Sequence, residues 1–155
     1  MQTVAVGKNG CVTCDDEVSY DADRLPSRDE TRMLYDSVGW AAYTDDLDAL
    51  IRGLENSAVV VTARSGGKLI GLARIVSDHA TIAYLQDVLV HPSFRRRGIA
   101  TALINRAFAP FNRVRQHVLL TDAEPGQRAF YESIGFTEIR DLPGRGCRSF
   151  VRFIP

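Results

Sequence analysis

The feature that most constrains this 155-residue chain is one segment in which a strand, a basic loop and a helix follow each other directly. Residues 80–90 form the longest strand pattern in the sequence. Residues 95–98 then read Arg-Arg-Arg-Gly, and residues 98–108 carry apolar side chains at helical spacing. The segment therefore predicts a strand–loop–helix unit around which the other elements pack.

The start of that helix is a candidate site for an anion. The first backbone N–H groups of a helix lack intrahelical acceptors, and the helix dipole places partial positive charge there. Gly98 has no Cβ and lets the backbone approach a ligand closely, while the three preceding arginines attract negative charge. The alternative is a solvated basic loop before an ordinary helix. The segment is neither a P-loop nor the dinucleotide-binding G-x-G-x-x-G motif.

The rest of the chain alternates strand and helix patterns, which predicts a mixed α/β (α+β) domain with a central sheet. A capping box at residues 27–30 and a Gly-Gly turn at residues 66–67 are the clearest local boundaries. We predict strands over residues 17–20, 57–64, 68–77, 80–90, 114–121, 136–140 and 147–153, and helices over 28–38, from Thr44 to Leu54, over 98–108, and from Pro125 to Ile134. Residues 1–15 are expected to form a flexible arm, and residues 16–155 a single domain.

The balance of charge limits the partners that this chain can hold. It carries 19 basic and 19 acidic residues, so its formal net charge is zero. A neutral chain lacks the global positive field with which proteins attract nucleic acids or anionic membranes. No apolar run approaches the roughly 20 residues that span a bilayer. We therefore expect no nucleic-acid partner and no membrane partner.

The three cysteines, Cys11, Cys14 and Cys147, indicate reduced thiols. Their number is odd, and the first residues lack the basic and apolar pattern of a secretory signal peptide. These observations predict a cytoplasmic location. Cys11 and Cys14 form a C-x-x-C pair, but a structural zinc site needs a second pair of ligands at useful spacing. We predict no metal.

Two motifs make the chain similar to the GCN5-related N-acetyltransferase (GNAT) family. Residues 95–100, Arg-Arg-Arg-Gly-Ile-Ala, match the family signature [QR]-x-x-G-x-[GA]. Residues 130–136, Phe-Tyr-Glu-Ser-Ile-Gly-Phe, match its F-Y-x-x-x-G-F element at about the expected distance. The resemblance extends over about residues 17–153. A looser similarity links residues 39–40 and 69–80 to bacterial and plastid enzymes of the serotonin- or arylalkylamine-acetyltransferase type.

This resemblance implies a mixed sheet of six or seven strands with splayed central strands, flanked by about four helices. It also implies acetyl-CoA as co-substrate, with pantetheine beside residues 88–90 and pyrophosphate near residues 95–101. The amide near Leu89 or Val90 is then expected to polarise the thioester. The cofactor-binding positions that match are Val88, Leu89, Val90, Arg95, Arg96, Arg97, Gly98, Ile99, Ala100, Thr101, Gln127 and Phe130.

The same resemblance assigns Tyr131 as general acid for the leaving thiolate; the alternative is an aromatic side chain that only packs helix against sheet. Two carboxylates are candidates for the base. Asp122 ends a predicted strand and is otherwise a loop or cap residue. Asp87 lies in the strand beside the cofactor and is otherwise a buried carboxylate bonded to backbone or arginine. Alternation places Tyr84, Gln86 and Val88 on one face of the strand and Leu85 with Asp87 on the other, unless a bulge intervenes.

The predicted acceptor pocket lies between the first two helices, where the family often binds its amine. Its candidate residues are Trp40, Tyr43, Tyr84 and Gln86. The two residues between the helices suit an aromatic or apolar amine, and the alternative for them is packing alone. The expected reaction is direct attack of a small primary amine on the thioester in a ternary complex. Two alternatives are a protein or peptide N-acetyltransferase and a non-catalytic acyl-CoA sensor. A homodimer is a common arrangement in the family.

Overall fold

A single five-stranded sheet forms the centre of the molecule. The computed structural model describes residues 17–144 and 146–153, so the predicted arm with Cys11 and Cys14 lies outside the described residues. The strands follow the chain in the order β1-β2-β3-β4-β5; all neighbours are antiparallel except the parallel pair β4–β5. Their bounds are Val18–Asp21 (β1), Val59–Ser65 (β2), Lys68–Ser77 (β3), Ile82–Val90 (β4) and Gln116–Leu119 (β5).

Five α-helices cover the two faces of this sheet. The first three contribute to the apolar core on one face, and α4 and α5 contribute to the core on the other. Their bounds are Arg28–Ser37 (α1), Ala41–Thr44 (α2), Leu47–Glu55 (α3), Ile99–Phe108 (α4) and Pro125–Ser133 (α5). The predicted mixed class is confirmed. In the part of the chain that the structure describes, no helix has the length and apolarity needed to cross a bilayer.

The helix starts follow from side-chain capping. In the predicted box, the Ser27 amide donates to Glu30 at 2.8 Å and the Glu30 amide donates to the serine hydroxyl at 3.3 Å. The second predicted helix begins later than expected, at Leu47. Asp46, rather than Thr44, caps α3 by accepting a hydrogen bond from the amide of Ala49. Thr44 instead ends the single turn α2, because its hydroxyl is bonded to α1.

Two apolar cores hold the layers together. The first, which we call the α4-side core, packs α4 through Leu103 and Ile104 onto β2, β3 and β4. The second, the α1-side core, packs Leu34 of α1 and Leu50 of α3 against Leu72 of β3. Alternate residues of the central strands therefore enter opposite cores, as the pleat of a strand requires.

The predicted strand pair over residues 136–140 and 147–153 is wrong for the residues that the structure describes. Ile139–Asp141 forms a single 3-10 turn, and residues 147–153 are exposed and make no sheet ladder. Ion pairs explain the turn, because Arg128 of α5 contacts both Glu138 and Asp141. These contacts curl the chain back toward α5. The described sheet thus has five strands rather than six or seven.

Gly71 sets the distance between α4 and the sheet. A Cβ at this position would lie 3.0 Å from the Leu103 side chain and 3.2 Å from the Leu89 carbonyl oxygen. The absence of a side chain at this position therefore allows Leu103 of α4 to pack closely on β3.

We expect Gly71→Ala to lower the free energy of unfolding by about 1–3 kcal/mol, the usual cost of overpacking a core. Urea unfolding followed by circular dichroism measures this change. Gly126→Ala is the matched control, because a Cβ there meets nothing within 4 Å. That control should be neutral or slightly stabilising, and equal losses in the two variants would contradict the packing argument.

Candidate active site

Strand β4 parts from β5 halfway along its length. The parallel ladder joins Ile82–Leu85 to Gln116–Leu119 and ends there. Residues 87–90 remain paired with β3 on one side only, so their other edge is open among the described residues. The predicted splay of the central strands is therefore present, and it exposes backbone groups in the middle of the sheet.

A bulge in β4 lies at the point where the strands part. Asp87 pairs with Arg74 of β3, but the next pair along β3 joins Ile75 to Leu85. Gln86 is thus an extra residue without a partner on β3. Such a bulge bends the strand and turns the residues beyond it to the opposite face.

The bulge corrects the facing predicted from simple alternation. Leu85 lies in the α4-side core, whereas Asp87 accepts a hydrogen bond from α1 on the other face. Simple alternation places these two residues on the same face of the strand. Val88, which it had grouped with Tyr84 and Gln86, packs instead against the α4-side core.

Backbone groups of β4 point into the open edge at two positions. The His91 amide donates to the Ile70 carbonyl of β3 at 2.8 Å. Because successive residues of an antiparallel strand alternate sides, Leu89 also turns its backbone groups to β3. Val88 and Val90 therefore present their N–H and C=O groups to the gap. Of the two amides considered from the sequence, that of Val90 faces the gap.

The loop after β4 is held in an anion-binding conformation. A 3-10 turn at residues 92–94 leads into Arg96 and Gly98, whose φ values are +62° and +75°. Arg96 is one of two described non-glycine residues with a left-handed backbone. Left-handed residues among right-handed ones point successive N–H groups to one side. Since α4 begins at Ile99, its unpaired first amides follow immediately.

The loop arginines lie at the surface around this backbone. Arg95, Arg96 and Arg97 are exposed, and the Arg97 guanidinium lies 5.2 Å from the centre of the Phe94 ring. Ile99 is buried and anchors the helix start, whereas Ala100 and Thr101 are half-buried. The predicted pyrophosphate-binding residues therefore form one continuous surface that can hold a diphosphate.

Helix α5 carries the third group of predicted residues. Gln127 and Phe130 are half-buried and Tyr131 is buried, with the rings of residues 130 and 131 5.0 Å apart. Burial raises the pKa of Tyr131, and the charge of Asp122 raises it further. Asp122 itself is exposed and accepts a hydrogen bond from the Glu124 amide at the start of α5.

Asp87 is the most deeply buried carboxylate among these candidates, with a side chain only 1% exposed. One oxygen, Oδ2, accepts hydrogen bonds from the Arg74 guanidinium and from the Tyr35 hydroxyl, the latter at 2.9 Å. Arg74 also donates to the Gly53 carbonyl and the Ser57 hydroxyl at the end of α3. The alternative considered from the sequence, a buried carboxylate bonded to arginine, describes this contact.

The predicted acceptor residues come together on the same face as Asp87. Trp40 and Tyr43 stack with ring centres 5.6 Å apart, and the Gln86 side-chain amide donates to the Tyr43 hydroxyl at 3.4 Å. Burial and then Asp87 raise the pKa of Tyr84. Of these residues, Tyr43 lines a cleft of about 220 Å³, whose lining residues are Ala42, Tyr43, Asp46, Ala49, Leu50 and Arg74.

Sequence reasoning missed two residues of this site, Tyr35 and Arg74. Arg74 is the only charged residue inside an otherwise apolar run of β3, from Leu69 to Val76. A lone charge in such a strand predicts a buried ion pair, so this pattern was a signal by which Arg74 could have been found. The hydroxyl of Tyr35 gives no comparable pattern, because its partner is 52 residues away in the sequence.

Comparison with known proteins agrees with this geometry. Residues 55–138, more than half of the chain, match the family described as "Acetyltransferase (GNAT) domain". The chain is also 30% identical over 119 residues to an uncharacterized N-acetyltransferase, ycf52, of Pyropia yezoensis. That alignment covers 74% of this chain and 66% of the relative, so the chain spans just under two thirds of the relative's length.

Solved structures share the fold. A GNAT-family acetyltransferase from Streptococcus pneumoniae TIGR4 is 27% identical with a TM-score of 0.74, over 88% of this chain and 100% of that one. The aminoglycoside N-acetyltransferase AAC(6')-Iy, solved with CoA, has a TM-score of 0.67 at 21% identity, over 89% and 95%. The family model shows that the chain belongs to the GNAT family of N-acetyltransferases, and the relative and the shared fold agree with this assignment.

Proposed function

We propose that this protein transfers the acetyl group of acetyl-CoA to the primary amine of a small molecule. One observation carries the proposal: the open edge of β4 leads without interruption into the left-handed loop and the free amides of α4. An extended chain that ends in a diphosphate, as CoA does, suits such a path. The gap begins at Gln86, next to Asp87, and the Gln86 side chain donates a hydrogen bond to Tyr43, which lines the cleft.

The described residues fit the co-substrate. The backbone groups of Val88 and Val90 offer pairing to an extended arm, and residues 95–101 offer amides and arginines to a diphosphate. A Cβ at Gly98 would meet nothing within 4 Å, so the surface beside it is open. The CoA complex of AAC(6')-Iy supports this assignment through the shared fold. Acetyl-CoA, when bound, supplies the thioester that the amine attacks.

The chain's own residues then supply orientation and proton transfer. Val90 is the amide placed to donate a hydrogen bond to the acetyl carbonyl oxygen. Tyr131 is the donor to the departing sulfur, since its raised pKa keeps its hydroxyl protonated. For the base, the geometry favours Asp87 over Asp122, because Asp87 is buried against Arg74, which lines the cleft, whereas Asp122 is exposed and bonded to the Glu124 amide.

The cleft favours a small acceptor. Its volume of about 220 Å³ is below the ~300–1,000 Å³ typical of drug-sized ligand sites, so it admits a compact amine or the end of a longer one. Its walls are mainly apolar and carry two charged residues. Arg74 is paired with Asp87, which leaves Asp46 as the residue whose charge no ion pair among the described residues offsets. A cationic amine is therefore a better match than an anionic acceptor. The cytoplasmic location and the homodimer stay predictions from sequence.

The cofactor site is tested by Gly98→Ala. A left-handed backbone costs alanine about 1–2 kcal/mol. The loop of the variant therefore relaxes to another conformation when it is free, and binding must restore the left-handed one. We expect the Kd for acetyl-CoA to rise about tenfold, as calorimetric titration measures. Gly66→Ala is the control, because Gly66 also has a positive φ but lies in the β2–β3 turn. A rise of the same size in Gly66→Ala would contradict the assignment.

The enzymatic role is tested by Tyr131→Phe. Removing the proton donor should lower kcat by about 10²–10⁴-fold, while the Kd for acetyl-CoA stays within twofold. Tyr20→Phe serves as the matched control, because Tyr20 lies on β1 and stacks under Arg106. Since the pKa of Tyr131 lies above the usual value near 10, wild-type activity should not decline from its ionisation below about pH 10.

A panel of acceptors distinguishes the proposal from its alternatives. Release of free CoA is measured with aryl alkylamines, polyamines, aminoglycosides, amino acids and peptides. The proposal predicts the highest kcat/KM for a small amine. Better turnover of peptides would indicate a protein acetyltransferase, and tight acetyl-CoA binding without any turnover would indicate a sensor.

A further inference from the structure

The carboxylate of Asp87 is only half satisfied. Its Oδ2 atom accepts from Arg74 and Tyr35, but Oδ1 is buried and has no hydrogen-bond partner among the described residues. A buried polar atom without a partner costs about 1–3 kcal/mol, and more for a charged group. Such an atom in a native protein calls for an explanation in function or in a missing ligand.

Tyr43 is a residue of the cleft that lies close to the groups holding this carboxylate. Tyr43 lines the cleft, and its ring lies 5.6 Å from the Tyr35 ring, whose hydroxyl contacts Asp87. Burial raises the pKa of Tyr43, and the charge of Asp87 raises it further, so the phenol stays protonated.

The direction of the hydrogen bonds orients this hydroxyl. The Gln86 amide donates to the Tyr43 oxygen at 3.4 Å, and an amide N–H can act only as a donor. The oxygen therefore accepts, and its own O–H remains available to donate to an acceptor. The unpartnered Oδ1 of Asp87, on the residue next to Gln86, is an acceptor that lacks a donor.

We infer that Tyr43 is a catalytic residue that relays a proton from the acceptor's ammonium group to Asp87. This inference rests on the proposed function. In the step, an N–H bond of the ammonium breaks and its proton forms an O–H bond on Tyr43. The original O–H bond of Tyr43 breaks, and that proton moves to Oδ1 of Asp87. The amine becomes neutral and nucleophilic, and the carboxylate becomes a neutral carboxylic acid that later returns the proton to water.

Arg74 and Tyr35 act as positioning residues, because both hold Oδ2 and leave Oδ1 to face the relay. Each packed element contributes one facing group: Tyr35 from α1, Tyr43 from α2, Arg74 from β3 and Tyr84 from β4. Helix α3 adds Asp46 at the rim of the cleft. Arg74 balances the charge of Asp87, so removing either ion would leave the other buried and unpaired. Tyr43 is therefore the safer position to vary.

The first test is the pH profile of Tyr43→Phe, measured with the panel amine of highest kcat/KM. Without a relay, only amine already neutral in solution reacts, so kcat/KM should keep rising tenfold per pH unit toward the amine's own pKa near 10. We expect a loss of at least about 100-fold at pH 7. The wild type and the control Tyr20→Phe should level off at lower pH. Profiles of the same shape in all three proteins would overturn the relay.

The second test separates proton transfer from a structural role. The same amine is compared with its analogue fluorinated on the carbon beside the amino-bearing carbon, which is much less basic and largely neutral at pH 7. A neutral amine needs no base, so Tyr43→Phe should lose little activity with the analogue. Tyr35→Phe should show a weaker form of the same pattern. An equal loss with both amines would mean that Tyr43 only shapes the cleft.

These outcomes are separable from failure of the proposed function. If the wild type acetylates no amine while binding acetyl-CoA, the proposed function fails and the relay fails with it. If the wild type is active and Tyr43→Phe matches it at every pH, the relay alone is wrong. Unchanged acetyl-CoA affinity in Tyr43→Phe and Tyr35→Phe, measured by calorimetry, shows that the cofactor site has stayed intact.

Discussion

The parting of β4 from β5 is the constraint on which the rest of the site depends. The ladder ends at the pair Leu85–Leu119, and one inserted residue, Gln86, follows at once. Ending the ladder leaves backbone donors and acceptors unpaired in the middle of a sheet, where an extended ligand can pair with them. The insertion rotates the strand, so that Asp87 faces α1 instead of the α4-side core.

Asp87 and Arg74 show how this arrangement balances stability against function. A buried ion pair contributes little net stability, because desolvation offsets its attraction, yet losing one partner costs about 3–5 kcal/mol. Arg74 is nevertheless tied to the end of α3 by its bonds to Gly53 and Ser57. The pair thus fixes α3 over the sheet and keeps the charge of Asp87 compensated. The second carboxylate oxygen is buried and has no hydrogen-bond partner among the described residues.

Much of the fold followed from local patterns, and the exceptions share one cause. The capping box, the Gly-Gly hairpin and the two helices that flank β5 were predictable because neighbours in sequence decide them. The strand pair near the C-terminus was not, because Arg128 draws residues 138–141 into a turn. The cap of α3 moved to Asp46 because Thr44 bonds to α1. Long-range contacts overrode local propensity in both places.

The sequence by itself determined the family, the loop at residues 95–98 and the helix with Tyr131, because each belongs to a continuous motif whose backbone conformation is local. Only the tertiary structure decided which way Asp87 faces, that Arg74 and Tyr35 hold one of its oxygens, and that the neighbouring Gln86 donates a hydrogen bond to Tyr43. Those facts depend on the unpaired Gln86 in the β3–β4 ladder and on contacts between residues 13 to 52 positions apart in the sequence. The periodicity of the sequence reveals neither the bulge nor the distant contacts, since a single inserted residue reverses the face to which the following side chains point.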